Sequence, residues 1–143
     1  MNSASYLRLR GFTLLELLVV VVIIGLLVGY VAPRYFGQVG KSEVTTAKAQ
    51  IDALEKALDQ YRLDTGRYPT TELGLAALVN RPPNEPKWNG PYLRSGTVPN
   101  DPWGHSYVYR SPGEHGSFDI VSHGAHGVEG AADTASDIVS WQR

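Results

Sequence analysis

The chain contains no cysteine. That absence excludes disulfides, thiolate metal sites and cysteine nucleophiles, and leaves a small extracytoplasmic domain to find its stability by assembly or through a bound ion. It also has no excess of charge of either sign. With 13 basic and 14 acidic residues the formal charge is −1, so the basic surplus that nucleic-acid binding calls for is missing. No G-x-S-x-G, H-E-x-x-H or phosphate-binding loop occurs, so nothing points to catalysis, and there is no internal repeat. Charge is scarcest near the start: the 21 residues from Phe12 to Ala32 carry one charged side chain, Glu16.

What is present there has the length of a transmembrane helix. A carboxylate inside such a span costs about 2.5–3.5 kcal/mol at the bilayer centre on insertion scales, so Glu16 calls for a reason. Arg8 and Arg10 precede the run without any acid, which places the short arm in the cytoplasm and the remainder outside. A cleaved secretory signal fits poorly. The run exceeds an h-region, and a cut after Ala32 would put Tyr30 at the small-residue position and Pro33 directly after the cut. A plain anchor fits the length but leaves Glu16 unexplained. Gly25 and Gly29 form a G-x-x-x-G spacing that permits close approach of helices.

Pro33 removes a backbone donor and clashes with the preceding turn, which predicts a break in the helix there. From Glu43 onward the pattern is amphipathic: Val44, Ala47, Ile51, Leu54, Leu58 and Tyr61 recur at 3-4 spacing, and Thr65-Gly66 ends the run. A helix from Phe12 to Thr65 would extend about 80 Å at 1.5 Å per residue. That is longer than a domain of about 100 residues is wide, so its apolar first half is expected to project. Opposite the apolar stripe lie Asp52, Glu55 and Asp59. They read either as a solvated face balanced by Lys48 and Lys56 or as a surface for basic residues of a neighbouring copy.

Beyond the helix, "YPTTELGLAALV" predicts a turn and a short helix capped by Thr70 or Thr71. "RPPNEPKWNGPYL", with four prolines, predicts an ordered loop anchored by Trp88 and Tyr92. "HSYVYR" and "SFDIV" predict an antiparallel hairpin closed by a Pro-Gly turn, and the apolar stretch before Trp141 is a candidate third strand. The fold class is therefore α+β: a long N-terminal α-helix packed on a small antiparallel sheet, with a C-terminal loop.

Four histidines, His105, His115, His123 and His126, raise the question of a metal. His123 and His126 with Asp133 and Asp137 are a candidate transition-metal set, but their spacing matches no strong motif. The same loop offers carboxylates at Glu129, Asp133 and Asp137 beside glycine carbonyls, the donor type calcium takes.

The opening "GFTLLE" followed by an apolar stretch resembles the processing signal of type IV pilins and type II secretion pseudopilins. The resemblance implies that a prepilin peptidase cuts after Gly11 and methylates the new N-terminus at Phe12. It also implies that Glu16 pairs with the amine of an adjacent subunit during assembly. Pro33 falls where the family has a proline. The head, with "TELGLAALV", "GPYL" and "PNDPWGHSYVYRSPGEHGSFDIVSHGAHGVEG", is similar to the major, G-type pseudopilins of type II secretion systems, and the similarity runs from Gly11 to Trp141.

Type IV pilins proper usually carry a C-terminal disulfide loop, which a chain without cysteine cannot form. The resemblance further implies calcium in the last loop, through "S-x-G-A-D-G" and later aspartates. Here the motif reads "SHGAHG", with His126 in place of the aspartate and Ala135 at another position where aspartate is common. Asp133, Asp137 and the carbonyl of His123 remain, so the site is weakened, lost or differently built.

On this resemblance residues 1–11 are a cleaved cytoplasmic leader. Residues 12–32 are the transmembrane and filament-core helix, and 33–143 a periplasmic head that includes the second half of the helix. The expected function is a structural subunit of the periplasmic pseudopilus, anchored first in the bacterial inner membrane. Its partners would be further copies of itself, the prepilin peptidase, minor pseudopilins and the inner-membrane secretion platform, and the pseudopilus would drive folded proteins across the outer membrane. Glu55 or Asp59 would meet Lys87 or Arg94 of another copy. The alternatives are a type IV pilin, a minor pseudopilin, or a membrane-anchored periplasmic binding domain.

Overall fold

A computed structural model describes residues 11–127 and 137–142, without the side chains of 35–37. The elements follow in the order helix, 3-10 turn, two strands, 3-10 turn, strand. Helix α1 spans Leu14–Thr65. The chain divides into two compact units, one ending at Val39 and one beginning at Gly40.

In the first unit α1 carries an 18-residue window of mean hydropathy 2.9, none of it buried within the protein. Leu15, Leu18, Val22, Leu26 and Tyr30 are all more than half exposed. The helix begins with a defined cap: Thr13 Oγ1 accepts the backbone N–H of Glu16 at 3.2 Å, and the Thr13 carbonyl accepts that of Leu17. Thr-x-x-Glu at a helix start is the sequence form of a capping box. The break expected at Pro33 is not there, because Pro33 lies inside α1. Proline deletes a single donor, and the helical residues on both sides carry the ladder past it. The Arg34 guanidinium lies 5.0 Å from the centre of the Tyr30 ring.

In the second unit the apolar stripe of α1 forms one wall of the core. Ala47, Ile51, Leu54, Ala57, Leu58 and Tyr61 are buried against Leu75, Ala77, Leu78, Tyr107, Tyr109, Ile120 and Ile138. Strands β1 (Val108–Arg110), β2 (Asp119–Ser122) and β3 (Ile138–Val139) make an antiparallel sheet in the order β1-β2-β3. Tyr109 pairs with Ile120 and Ser122 with Ile138, while Val108, Val121 and Val139 align in a row. Alternation along a strand therefore turns the tyrosines and isoleucines toward the core and the valines away from it.

The tyrosines also serve as polar ties. Tyr109 Oη donates to the Pro69 carbonyl at 2.8 Å, Tyr107 Oη to Gln50 Oε1, and Tyr92 Oη to Asp64 at 2.8 Å. Buried hydroxyls that find acceptors avoid the cost of desolvation without a partner.

The proline-rich loop is ordered as expected. Trp88 Nε1 donates to the Ala77 carbonyl at 2.7 Å, Tyr92 N–H to that of Leu78, and the two rings meet edge to face. The short helix after Thr71 proves to be a 3-10 turn, Leu75–Leu78, whose N-cap is Gly74 at φ +61. Thr70 instead caps the preceding turn, accepting Leu73 N–H at 3.4 Å. The turn at 111–118 is closed by Asp119, whose carboxylate accepts the N–H groups of Glu114 and His115. A Cβ on Gly113 would lie 2.6 Å from that carboxylate, so glycine is required there.

Candidate functional site

Three regions carry the residues singled out by sequence. At the N-terminus, Gly11 is exposed with open space around it, and Phe12 is 83% exposed. Glu16 sits in the first turn of α1 and is exposed. An acid in the first turn faces the positive end of the helix dipole, a favourable place for its charge. Gly11, Phe12, Thr13 and Glu16 are thus gathered at one accessible helix end. Residues 1–10 of the expected leader lie outside the described residues. Sequence reading missed Thr13 as the cap, although the Thr-x-x-Glu spacing was the signal for it.

The second region is the acidic face of α1. Asp52 pairs with Lys56 at 2.7 Å, and Asp59 accepts the Tyr68 hydroxyl at 2.8 Å. Tyr68 in turn accepts from Arg62 Nη1 at 3.2 Å, and that guanidinium lies 5.1 Å from the Tyr68 ring centre. The hydrogen bond to Tyr68 raises the Arg62 pKa. Glu55 is half-buried and has an interaction partner of its own. Asp52 and Lys56 thus form an exposed ion pair, whereas Asp59 belongs to a local network. Lys87 and Arg94 are exposed.

The third region surrounds the start of the C-terminal loop. Asp101, 4% exposed, accepts the N–H groups of Trp103 (3.1 Å) and His105 (2.8 Å) and the Ser122 hydroxyl (2.6 Å). Ser122 Oγ accepts Gly124 N–H at 3.2 Å, and the Gly124 carbonyl lies 3.1 Å from His105 Nδ1. His123 Nδ1 is 3.4 Å from Asp137. Its Nε2 is buried and, among the described residues, has no hydrogen-bond partner. His115 contacts Asp119 at 3.2 Å and stacks on Trp141, ring centres 3.8 Å apart and nearly parallel.

Asp101 as a hub was not read from sequence. An aspartate whose side chain caps the N–H two residues on is a known turn device, and "NDPWG" carried that signal.

Of the candidate transition-metal set, His123 and Asp137 meet and His126 is exposed, and among the described residues no group of three or more His, Asp or Glu is placed to hold a metal. Asp133, together with Glu129 and Ala135, lies outside the described residues. Calcium asks for six to eight oxygens. The described part of this loop offers one carboxylate, Asp137, set against an imidazole, and carbonyls that already accept protein donors.

Burial raises the phenol pKa of both core tyrosines on β1 and the residue before it, to about 12 for Tyr109 and higher for Tyr107.

With this geometry in view, the comparisons with known proteins are informative. Residues 34–141 match the family model for type II secretion system protein G, and residues 8–32 match the prokaryotic N-terminal methylation motif. The chain belongs to the type II secretion system protein G family. It is 47% identical over 134 residues to the type II secretion system core protein G of Vibrio cholerae, covering 92% of this chain and 90% of that one. It is 48% identical over 139 residues to the core protein G of Dickeya chrysanthemi, covering 94% and 87%. The crystal structure of the major pseudopilin from the type 2 secretion system of enterohaemorrhagic Escherichia coli is similar at a TM-score of 0.62 and 41% identity. That match covers 74% of this chain and 92% of that one.

Proposed function

We propose that this chain is the major structural subunit of a type II secretion pseudopilus. The observation that carries the reading is an exposed apolar stretch, residues 12–32, whose one charged side chain, Glu16, sits at a capped helix end five residues after Gly11. It occurs in a chain of the protein G family. A prepilin peptidase would cut between Gly11 and Phe12, leaving Phe12 as a methylated amine. Before assembly the apolar helix anchors the chain in the inner membrane, with the head in the periplasm. In the filament it packs against the helices of neighbouring copies, and Glu16 pairs with the Phe12 amine of the next. Because an unpaired charge in that core is costly, the pair fixes the axial offset between subunits. Minor pseudopilins and the inner-membrane platform complete the assembly, whose growth moves folded proteins toward the outer-membrane channel. The role is structural and needs no catalytic group of the chain itself.

The heads supply a second contact. Glu55 or Asp59 on α1 would meet Lys87 or Arg94 of an adjacent copy, the two basic residues being exposed on the proline-rich loop side. A charge-swapped pair should restore assembly lost in either single charge reversal, and a pair that restores nothing removes this contact.

Intact mass of the chain isolated from cells that contain the peptidase tests the processing step. The expected species begins at Phe12 and carries one added methyl. An uncut chain beginning at Met1 contradicts the reading and favours a simple membrane-anchored domain.

A further inference from the structure

We infer that Tyr30 and Arg34 form a binding site for the phosphate of an anionic phospholipid at the outer face of the membrane, and that this contact sets the depth of the helix there. The inference rests on the membrane stage of the proposed function. Between Glu16 and Lys41 the chain carries a single charged residue, Arg34. The apolar residues 12–32 extend about 30 Å at 1.5 Å per residue, the thickness of a bilayer's hydrocarbon core. Arg34 therefore falls about half a turn beyond the outer end of the span, and Tyr30 about half a turn inside it. Tyrosine is enriched at that level because its ring sits in the apolar boundary while its hydroxyl stays wet. The arginine stem lies along apolar surface and carries its charge out to the headgroups.

Helix geometry joins these two residues into one feature. Because Pro33 lies inside α1 without ending it, Tyr30 and Arg34 stand one turn apart on the same helix face. The Arg34 guanidinium lies 5.0 Å from the centre of the Tyr30 ring, and both side chains are exposed. Among the described residues no hydrogen bond or ion pair engages that guanidinium. A cation held on an aromatic face is restrained, while the N–H donors at its edge stay available. A phosphate takes such a fork through two parallel hydrogen bonds. Charge complementarity selects a lipid as the occupant. The span delivers this one cation to the layer where lipid phosphates lie, whereas copies anchored at the same level offer no acid there, since none occurs between Glu16 and Glu43.

The test uses the full-length chain reconstituted in phosphatidylcholine bilayers, with spin-labelled phosphatidylglycerol or spin-labelled phosphatidylcholine added in trace amounts. The motionally restricted fraction of each label reads its association with the protein. The native chain should favour phosphatidylglycerol. Arg8 and Arg10 also attract anionic lipid, so the variants decide. Arg34→Gln should lower the preference about two- to fivefold at low salt, and by less at high salt. Tyr30→Leu keeps the charge and should lower it by a smaller factor, and Arg34→Lys should keep part of it. Millimolar inorganic phosphate should leave the restricted fraction unchanged. An unchanged preference in Arg34→Gln overturns the inference, and so does full preference in Tyr30→Leu, which would remove the ring from the site. Displacement of the lipid by inorganic phosphate would make the site one for the free ion. Loss of filaments in Arg34→Gln with lipid preference intact would assign the residue to a neighbouring chain, and either outcome also overturns it. A chain that does not insert in the bilayer contradicts the membrane stage itself, a failure distinct from these.

Discussion

Glu16 and Thr13 share the first turn of α1 and do different work there. Thr13 caps the helix through the N–H of Glu16, and replacing such a cap by alanine costs about 0.5–2 kcal/mol of local helix stability. Glu16 makes no comparable packing contact, since the surrounding apolar side chains are exposed. Glu16→Ala is therefore expected to insert in the membrane and fold its head as the native chain does, and to lose assembly. Fractionation and head Tm, compared with filament yield, separate the two effects.

In the head the most informative single atom is the Tyr109 hydroxyl, bonded to the Pro69 carbonyl across 40 residues of chain. Tyr109→Phe leaves that buried carbonyl without its donor and should cost about 1–3 kcal/mol in thermal unfolding. The same phenol has its pKa raised to about 12 by burial. The unfolded chain releases this proton near the ordinary value of 10, before the folded one does. Its contribution to stability is thus complete below pH 10 and is lost as pH rises toward 12. Tyrosinate absorbance should rise together with unfolding in this window, whereas ionisation of every tyrosine of a folded head near pH 10 would contradict the assignment.

At the scale of elements, the second half of α1 is the part of the fold most readable from sequence. The 3-4 spacing from Val44 to Tyr61 gave the core stripe, and all but Val44 are fully buried. Leu58→Ala, at a site with no exposure, should destabilise the head by about 2–5 kcal/mol. A drop of less than 1 kcal/mol in thermal unfolding would show that α1 is not the core wall.

The hairpin was readable because β-branched and aromatic residues flank a Pro-Gly turn. β3 was visible only as an apolar stretch, being two residues long. Two expectations failed for physical reasons. Proline at 33 carried more weight in sequence than in a helix whose remaining bonds persist on both sides of it. The short helix after Thr71 became a 3-10 turn because Gly74, at positive φ, starts it late and leaves room for four residues. The contacts of Asp101, and the stacking of His115 on Trp141, link positions 21 and 26 residues apart, which no local pattern encodes.

For the whole molecule, the two units answer to different environments. Residues from Gly40 onward bury a core of their own, with aromatic ties and a three-stranded sheet. The unit ending at Val39 buries almost nothing and exposes a nearly continuous apolar surface. Such a surface is not stable in water on this scale and must be covered by lipid or by other chains. On the proposed function both covers apply in turn, lipid first and neighbouring copies afterwards. In that proposal the Glu16 carboxylate, tolerated at a cost in the membrane, would become favourable once an amine of another copy reached it.

The central claim, assembly of this chain on itself through that helix, is tested most directly by electron microscopy of filaments from cells that overproduce the chain with its secretion machinery. The native chain should give homopolymeric filaments, and Glu16→Ala, inserted and folded to the same level, should give few or none. Filaments from the variant equal in number and length to the native ones, or no filament containing the native chain, would contradict it.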